Sequence, residues 1–434
     1  MKHAPIAASL FAGNRQRLAK SLRPNSLAII VGNDILPTNA DGVLPFKQNS
    51  DLFYLTGVDQ EETILMLYPD AFDQEKHREL LFLRETNDNI AVWEGERLSK
   101  ERAAEATGID IRCIHWLGGF NQLWRTLMLQ AEHVYLNLNE HPRAEVAVAT
   151  RELRFARECQ KKFPLHRYER LAPIMARLRM IKSAPEIKLL KEAIAITAGG
   201  FARVLAFVKP GVGEWEIEAE LAHEFLRRRS KGFAYPPIIG SGKNGCILHY
   251  GDNHSECQDG ELLLLDAAAE YANYNADLTR TIPVNGRFSK RQRRVYNAVL
   301  RVFRTAAELL RPGLILKDWN DQVGETIEKE LIDLRLLKAR DVRKQNPDKP
   351  LYKKYFMHGV GHHLGLDVHD VALATEPVKA GMVFTIEPGI YITEEGLGVR
   401  LENDILVGRK TNTDLMADIP IEAEAIEELM SAGK

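Results

Sequence analysis

Two domains are predicted, an α/β domain over residues 1–170 and a larger domain over residues 171–434 in which strands and turns alternate with helices. Three observations predict them. A length of 434 residues exceeds what one ordinary core organises. Around residues 167–182 a mixture of short strands and helices gives way to a basic stretch and then to a helix start. Beyond residue 234, β-like runs carry acidic residues within them or at their ends. A hydrophobic fraction of 45% and a charged fraction of 27% supply cores that need no disulfide staples.

In the first domain, Leu27–Val31, Thr63–Tyr68 and His133–Leu138 are short β-rich runs. A period near 3.6 marks helices around residues 98–107 and 143–159. The opening MKHAPIAASLFAGNRQRL has the lysine and apolar stretch of a secretory leader, but Asn14, Arg15 and Arg17 interrupt it, so an amphipathic first helix is expected. Ser183-Ala184-Pro185-Glu186 is a capping box in front of Ile187, Leu189 and Leu190, which begin a long helix ended by Pro210 and Gly211. Glu214–Arg229 reads as the next helix.

No apolar run approaches the roughly 18 residues that span a bilayer, and Leu262–Ala269 carries Asp266 in its middle. Cys113, Cys159, Cys246 and Cys257 show no CxxC spacing and read as free thiols of a reducing compartment, so a cytoplasmic protein is expected. A formal net charge of -2 argues against nucleic acid or a membrane surface as partner. The basic stretches Arg227–Lys231 and Lys338–Lys354 lack interleaved aromatics and read as a solvated face and a loop.

Chemistry concentrates in the second domain. Glu261-Leu-Leu-Leu-Leu-Asp266 and Tyr274-Asn-Ala-Asp277-Leu-Thr-Arg-Thr-Ile-Pro283 each put an aspartate in a β-like run, which is costly unless a cation or arginine is near. A structural ion pair with Arg280 would account for these two alone. The segment Phe356–Asp370 adds four histidines set among glycines in fifteen residues, with His358, His362 and His369 at intervals of four and seven. Downstream, Glu387 and Glu402 stand in or beside further β-rich runs. Asp266, Asp277, Glu387 and Glu402 would bring a charge of -4, which two divalent ions balance while acidifying a bridging water. Oxygen-dominated ligation with one imidazole suits Mn²⁺, and also Co²⁺ or Zn²⁺. HExxH, GxSxG and Walker A signatures are absent. Gly240-Ser-Gly242-Lys-Asn-Gly245 matches a dinucleotide fingerprint in form, but the turn-rich residues after it leave no room for the helix which that fingerprint requires.

Together GSGKNGCILHY, LLLLDAAAEYANYNADLTRTIPVNG, FMHGVGHHLGLDVHD, FTIEPGIYI and GVRLEND resemble, in order, the metallopeptidase family that includes Xaa-Pro aminopeptidase, prolidase and methionine aminopeptidase. PFKQNSDLFYLTG (Pro45–Gly57) resembles the accessory domain of the Xaa-Pro aminopeptidases in particular, so the resemblance covers nearly the whole chain. It implies an α/β N-terminal domain followed by an α+β catalytic domain of the pita-bread (creatinase/aminopeptidase-like) fold. Position by position, it implies that Asp266 holds one metal, that Asp277 and Glu402 bridge two, and that His362 and Glu387 complete the other. Glu387 would also handle the proton of a metal-bridging hydroxide. His249, His358 and His369 would line the substrate side, with Tyr235 and Arg400 orienting the ligands.

The resemblance therefore implies removal of the residue in front of an N-terminal Xaa-Pro bond, in a homodimer or homotetramer acting on peptides with proline at the second position. A tertiary Xaa-Pro amide has no N–H, so a peptidase that relies on that donor binds it poorly. A prolidase acting on Xaa-Pro dipeptides is the alternative, and a non-enzymatic binding protein on the same fold a further one. All five ligand positions carry the expected residue types, which speaks against the latter.

Overall fold

A computed structural model describes residues 3–144 and 147–432. It contains two compact units, residues 4–179 and residues 180–432, with residue 3 belonging to the second. The expected helical stretch at 143–159 includes residues 145 and 146, and the expected first helix is preceded by residues 1 and 2; these lie outside the described residues.

The first unit is organised by a six-stranded mixed sheet. Its strands are β1 (Ser26–Val31), β2 (Ile64–Leu67), β3 (Glu79–Leu83), β4 (Ile114–Trp116), β5 (His133–Leu136) and β6 (Arg167–Arg170), in spatial order β4-β3-β2-β1-β5-β6. Strand β1 is buried at all six positions, as its unbroken SLAIIV requires of a strand covered on both faces. It pairs antiparallel with β2, Val31 opposite Ile64, and parallel with β5, Ser26 opposite His133. The first helix, Ala8–Ser21, buries one face through Leu10, Phe11 and Leu18, and of the polar residues that break its apolar run Asn14 and Arg15 face inward with them while Arg17 is exposed. Asn14 Nδ2 donates to the Tyr54 carbonyl at 2.6 Å, and Arg15 pairs with Glu79 at 2.9 Å while donating to the Leu55 carbonyl at 2.9 Å. The motif at 45–57 forms a helix, Ser50–Thr56, capped by the Asn49 side chain on the Asp51 and Leu52 N–H groups. Gly57 ends it at φ +68°, where a Cβ would also stand 2.3 Å from the Phe11 ring.

In the second unit the capping box forms as the spacing predicts: the Glu186 carboxylate accepts from the Ser183 N–H at 2.8 Å and hydroxyl at 2.7 Å. The long helix spans Ala184–Phe207 and the next one Glu214–Arg227. Three strands follow antiparallel in the order β11-β8-β7, namely β7 (Ile238–Ser241), β8 (Leu262–Asp266) and β11 (Thr279–Pro283). The pair β9 (Glu270–Tyr271) and β10 (Tyr274–Asn275) forms a hairpin between β8 and β11. Two further antiparallel groups complete the unit: β12 (Val383–Ile386), β15 (Asn403–Leu406) and β16 (Thr413–Asp414), and the pair β13 (Gly389–Ile392) and β14 (Leu397–Arg400). Helices Lys290–Leu309 and Leu316–Asp333 pack on them through Val295, Val299, Trp319, Val323 and Ile327, all buried in one core with Leu263, Phe384 and Val399. The basic segment 338–354 is mostly loop, with short helical turns at Ala339–Val342 and Leu351–Lys354. After β7 comes a 3₁₀ turn, Gly242–Cys246, rather than the helix of a dinucleotide fold. Among the described residues no helix is long and apolar enough to cross a membrane, and none of the four cysteines forms a disulfide.

Candidate metal centre

The strands bring together residues that are up to 136 positions apart in the chain, from Asp266 to Glu402. Asp266 ends β8, opposite Thr279 of β11 and Ile238 of β7. Asp277 lies two residues before β11, where its N–H donates to Asp404 Oδ2 at 3.2 Å. Glu387 follows β12, and Glu402 sits in the turn between β14 and β15. The segment carrying the histidines has no regular structure, yet it lies against β12: Thr385 N donates to the His362 carbonyl at 2.9 Å and Glu387 N to the Val360 carbonyl at 2.8 Å. Gly361 allows that approach, since a Cβ there would fall 2.0 Å from the Thr385 carbonyl oxygen.

Asp277, His362 and Glu402 each offer a ligand atom, and these atoms all lie within 4.8 Å of one another. His362 Nε2 is 3.5 Å from Asp277 Oδ2 and 3.6 Å from Glu387 Oε1. Its other nitrogen, Nδ1, lies 2.9 Å from the His363 carbonyl oxygen. A carbonyl only accepts, so Nδ1 carries the proton and Nε2 directs its lone pair at two carboxylates. That arrangement is repulsive unless a cation stands between them or the ring is itself charged. Asp266 accepts from the Tyr235 hydroxyl at 2.6 Å and from Arg400 Nη2 at 2.6 Å. Arg400 also donates to the Tyr391 hydroxyl at 2.8 Å and to Thr279 Oγ1 at 3.1 Å, and Thr279 passes a hydrogen bond of 2.6 Å to Glu402 Oε2.

Electrostatics agree with the geometry. Burial pushes Glu402 well above the usual carboxylate range, and Asp277, Glu387 and Asp266 push it further. Burial raises Asp266 too, against the pull of Arg400. Glu387 rises to about 7, through burial first and then the neighbouring aspartates. Burial lowers His362, but Asp277 and Glu387 outweigh it and the net shift is upward. Four carboxylates with one arginine thus form a site short of positive charge, and divalent ions fit its donor set. The arginine that the sequence offered as partner lies elsewhere. Arg280 donates to the carbonyls of Thr279, Glu402, Ile419 and Pro420 and to Asn403 Oδ1.

The remaining candidates surround this cluster. The His369 ring stands edge-on to His362 with centroids 4.3 Å apart. His358 places Nδ1 2.8 Å from the Gly359 carbonyl and Nε2 2.8 Å from the Tyr391 hydroxyl; burial lowers it to about 3, so its ring is neutral. His249 is exposed in the turn after Gly242–Cys246, near enough to His358 to help depress its protonation. Tyr235 and Arg400 both touch Asp266. Three side chains without a sequence signal join them: Thr279, Tyr391 and Asp404. Their motif neighbours, LTRT, GIYI and LEND, mark the strands but not which residue faces the acids. A cavity of about 410 Å³ lies beside the Gly242 turn, but Glu256, Glu261 and Glu395 line it, a poor seat for a pyrophosphate.

The model of metallopeptidase family M24 matches residues 188–409, and that of the aminopeptidase P N-terminal domain matches residues 11–135. The chain is 35% identical to an Xaa-Pro aminopeptidase of Escherichia coli, over 99% of each chain, and 34% identical to one of Haemophilus influenzae, over 97% of each. Among solved structures, zinc-substituted Escherichia coli aminopeptidase P in complex with product superposes with a TM-score of 0.87 at 34% identity. That match covers 99% of this chain and 100% of the other.

Proposed function

Because the chain belongs to metallopeptidase family M24, a pita-bread family of enzymes that use divalent metal ions, we propose that it is an Xaa-Pro aminopeptidase, removing the first residue of peptides whose second residue is proline. The observation that carries the chemistry is the triplet Asp277, His362 and Glu402, two buried carboxylates and a half-buried imidazole, with its ligand atoms within 4.8 Å. Support for the substrate comes from the aminopeptidase P type of N-terminal domain. In this reading residues 171–434 are the catalytic domain and residues 1–170 an accessory one.

Asp266, Asp277, His362, Glu387 and Glu402 would hold two divalent ions, by preference Mn²⁺, with Co²⁺ or Zn²⁺ also suited to an oxygen-rich set. When bound, such ions polarise the scissile carbonyl and acidify a water. The chain's own residues do the rest. Glu387, the most open of the five, is the carboxylate placed to handle the proton of the attacking water. Tyr235 and Arg400 fix the Asp266 carboxylate, so that its orientation does not depend on the substrate. Gly359 and Tyr391 fix the neutral His358 ring, and His249 and His369, both exposed, border the space a peptide would fill. A net charge of -2 and unpaired thiols support a cytoplasmic enzyme without nucleic-acid or membrane partner, and we include a homodimer or homotetramer in the proposal.

The test uses protein stripped of metal and resupplied with Mn²⁺, given Arg-Pro-Pro beside the dipeptide Ala-Pro. Metal-dependent cleavage of the tripeptide, with little of the dipeptide, is expected. The reverse preference would make it a prolidase, and silence on both would return the chain to a binding role.

A further inference from the structure

From the hydrogen bonds around the buried Glu214 carboxylate, we propose that this residue is the positioning residue for His249, holding the loop that carries it against the substrate side. Glu214 opens the helix Glu214–Arg227 and is fully buried. Five donors converge on it. Oε1 accepts from the Ser241 N–H at 2.7 Å, the Ser241 hydroxyl at 2.7 Å and Asn244 Nδ2 at 3.2 Å. Oε2 accepts from the Tyr250 hydroxyl at 2.7 Å and the Ser255 N–H at 2.9 Å. Charge-assisted bonds to one buried carboxylate are the strong kind, and here they come from four points along a single excursion of the chain, residues 241 to 255.

The purpose of so many ties to a loop lies in what the loop carries. His249 falls between the anchors at Asn244 and Tyr250, and it is exposed. Among the described residues no hydrogen bond holds its ring, so its place depends on the backbone beneath it. Asn253 adds a second brace, accepting from the Ile239 N–H at 3.0 Å and donating to Glu218 at 2.8 Å and to the Pro237 carbonyl at 3.0 Å. Glu214 itself lies among none of the candidate ligands and is bonded to none of them. The inference rests on the proposed peptidase reading, in which His249 meets substrate.

The experiment is a double-mutant cycle on the metal-loaded full-length chain, with kcat and KM measured separately on Arg-Pro-Pro. Glu214→Gln keeps the shape but presents an amide to donors, and should lower kcat by at most the factor that His249→Ala itself costs, since its effect runs through that residue. Glu214→Gln combined with His249→Ala should be no slower than His249→Ala alone, because a positioning residue has nothing to add once its client is gone. Hydrogen exchange without metal provides a readout independent of turnover: backbone amides of residues 242–250 should lose protection in Glu214→Gln while those of β8 keep theirs. Metal content should equal that of the parent. Multiplying losses in the double mutant, or unchanged protection of the loop, would overturn the proposal. If Glu214→Gln yields too little folded protein, Tyr250→Phe removes one of the five donors and is run through the same cycle. A parent chain that fails to cleave the peptide would instead sink the peptidase reading and leave the exchange result to judge the brace.

Discussion

Removing the divalent ions should make the stability of this protein fall relative to that of the metal-loaded protein as pH rises from about 4.5 to about 7, and a single amide substitution should reverse much of that loss. Glu387 moves from an ordinary value of 4.5 to about 7 in the fold. At about 1.36 kcal/mol for each tenfold in proton affinity, holding it ionised above pH 7 costs the metal-free fold about 3 kcal/mol. Because the folded value lies above the unfolded one, this contribution is fully present below about 4.5 and lost as pH rises through about 7. Glu402 and Asp266 shift in the same direction and add to the fall. Carboxylates held low by partners, such as Glu395 beside Arg291, act with the opposite sign in more acid solution. The neutral rings of His358 and His363, each lowered to about 3 by burial, act with the opposite sign within this window, so the contribution of the acids is read as the difference between metal-free and metal-loaded protein. For a unit of this size about 3 kcal/mol corresponds to roughly 6–12 °C in Tm.

The assay is thermal unfolding between pH 4.5 and 8, with chelator and with saturating Mn²⁺. The gap in Tm between loaded and chelated protein should widen toward pH 8, since bound cations offset the charges of the acids. Glu402→Gln keeps an oxygen for the Thr279 hydroxyl but removes one like charge. Metal-free at pH 8 it should melt above the parent, and it should lose most of the gain on adding metal. If Glu402→Gln is instead less stable than the parent in chelator, or if chelated and loaded parent show the same pH slope, the acids are structural and the metal centre is wrong.

Other expectations are simpler. Asp277→Ala and Glu402→Ala should abolish metal retention and hydrolysis, whereas Cys246→Ser should leave both nearly intact; metal analysis by mass spectrometry on each variant decides. Arg400→Lys keeps the charge but not the fork that reaches Asp266, Tyr391 and Thr279 together, so activity should fall about 10- to 100-fold, read as kcat at saturating metal. Lys182 and Asp370 form an ion pair at 2.8 Å with side chains 1% and 2% exposed, tying the histidine segment to the start of the long helix. Lys182→Met should destabilise by about 3–5 kcal/mol in denaturant unfolding, because the carboxylate loses its buried ammonium.

Much of the centre was legible because its residue types are chemically improbable in their settings: carboxylates within or beside apolar β-like runs, Asp266 after four leucines, and histidines crowded among glycines. Partner choice was not legible. Arg280 follows Thr279, and Thr279 is the residue opposite Asp266, so strand alternation turns the arginine to the other face. Arg400, 134 positions from Asp266, reaches it instead, and only the pairing of distant strands reveals that. Edge strand β6, Arg167–Arg170, reads as a basic stretch because an edge exposed to solvent needs no apolar pattern. The two-residue strands β9 and β10 are too short for any period to register. Inward-facing Arg15 shows the converse: a charge that looks like an interruption is absorbed by Glu79 and a carbonyl.

Side-chain exposure across the centre falls from 21% at Glu387 to 7% at Asp277, and Glu402 is buried. The proposed ligand set therefore has a front, open at Glu387 and His362, and a back sealed by Thr279 and Arg400. Ion traffic must use the front. Substitutions of groups that border this front without being ligands should chiefly change how fast metal is gained and surrendered, and substitutions at the back how much is held at equilibrium, so that one centre has separate kinetic and thermodynamic walls.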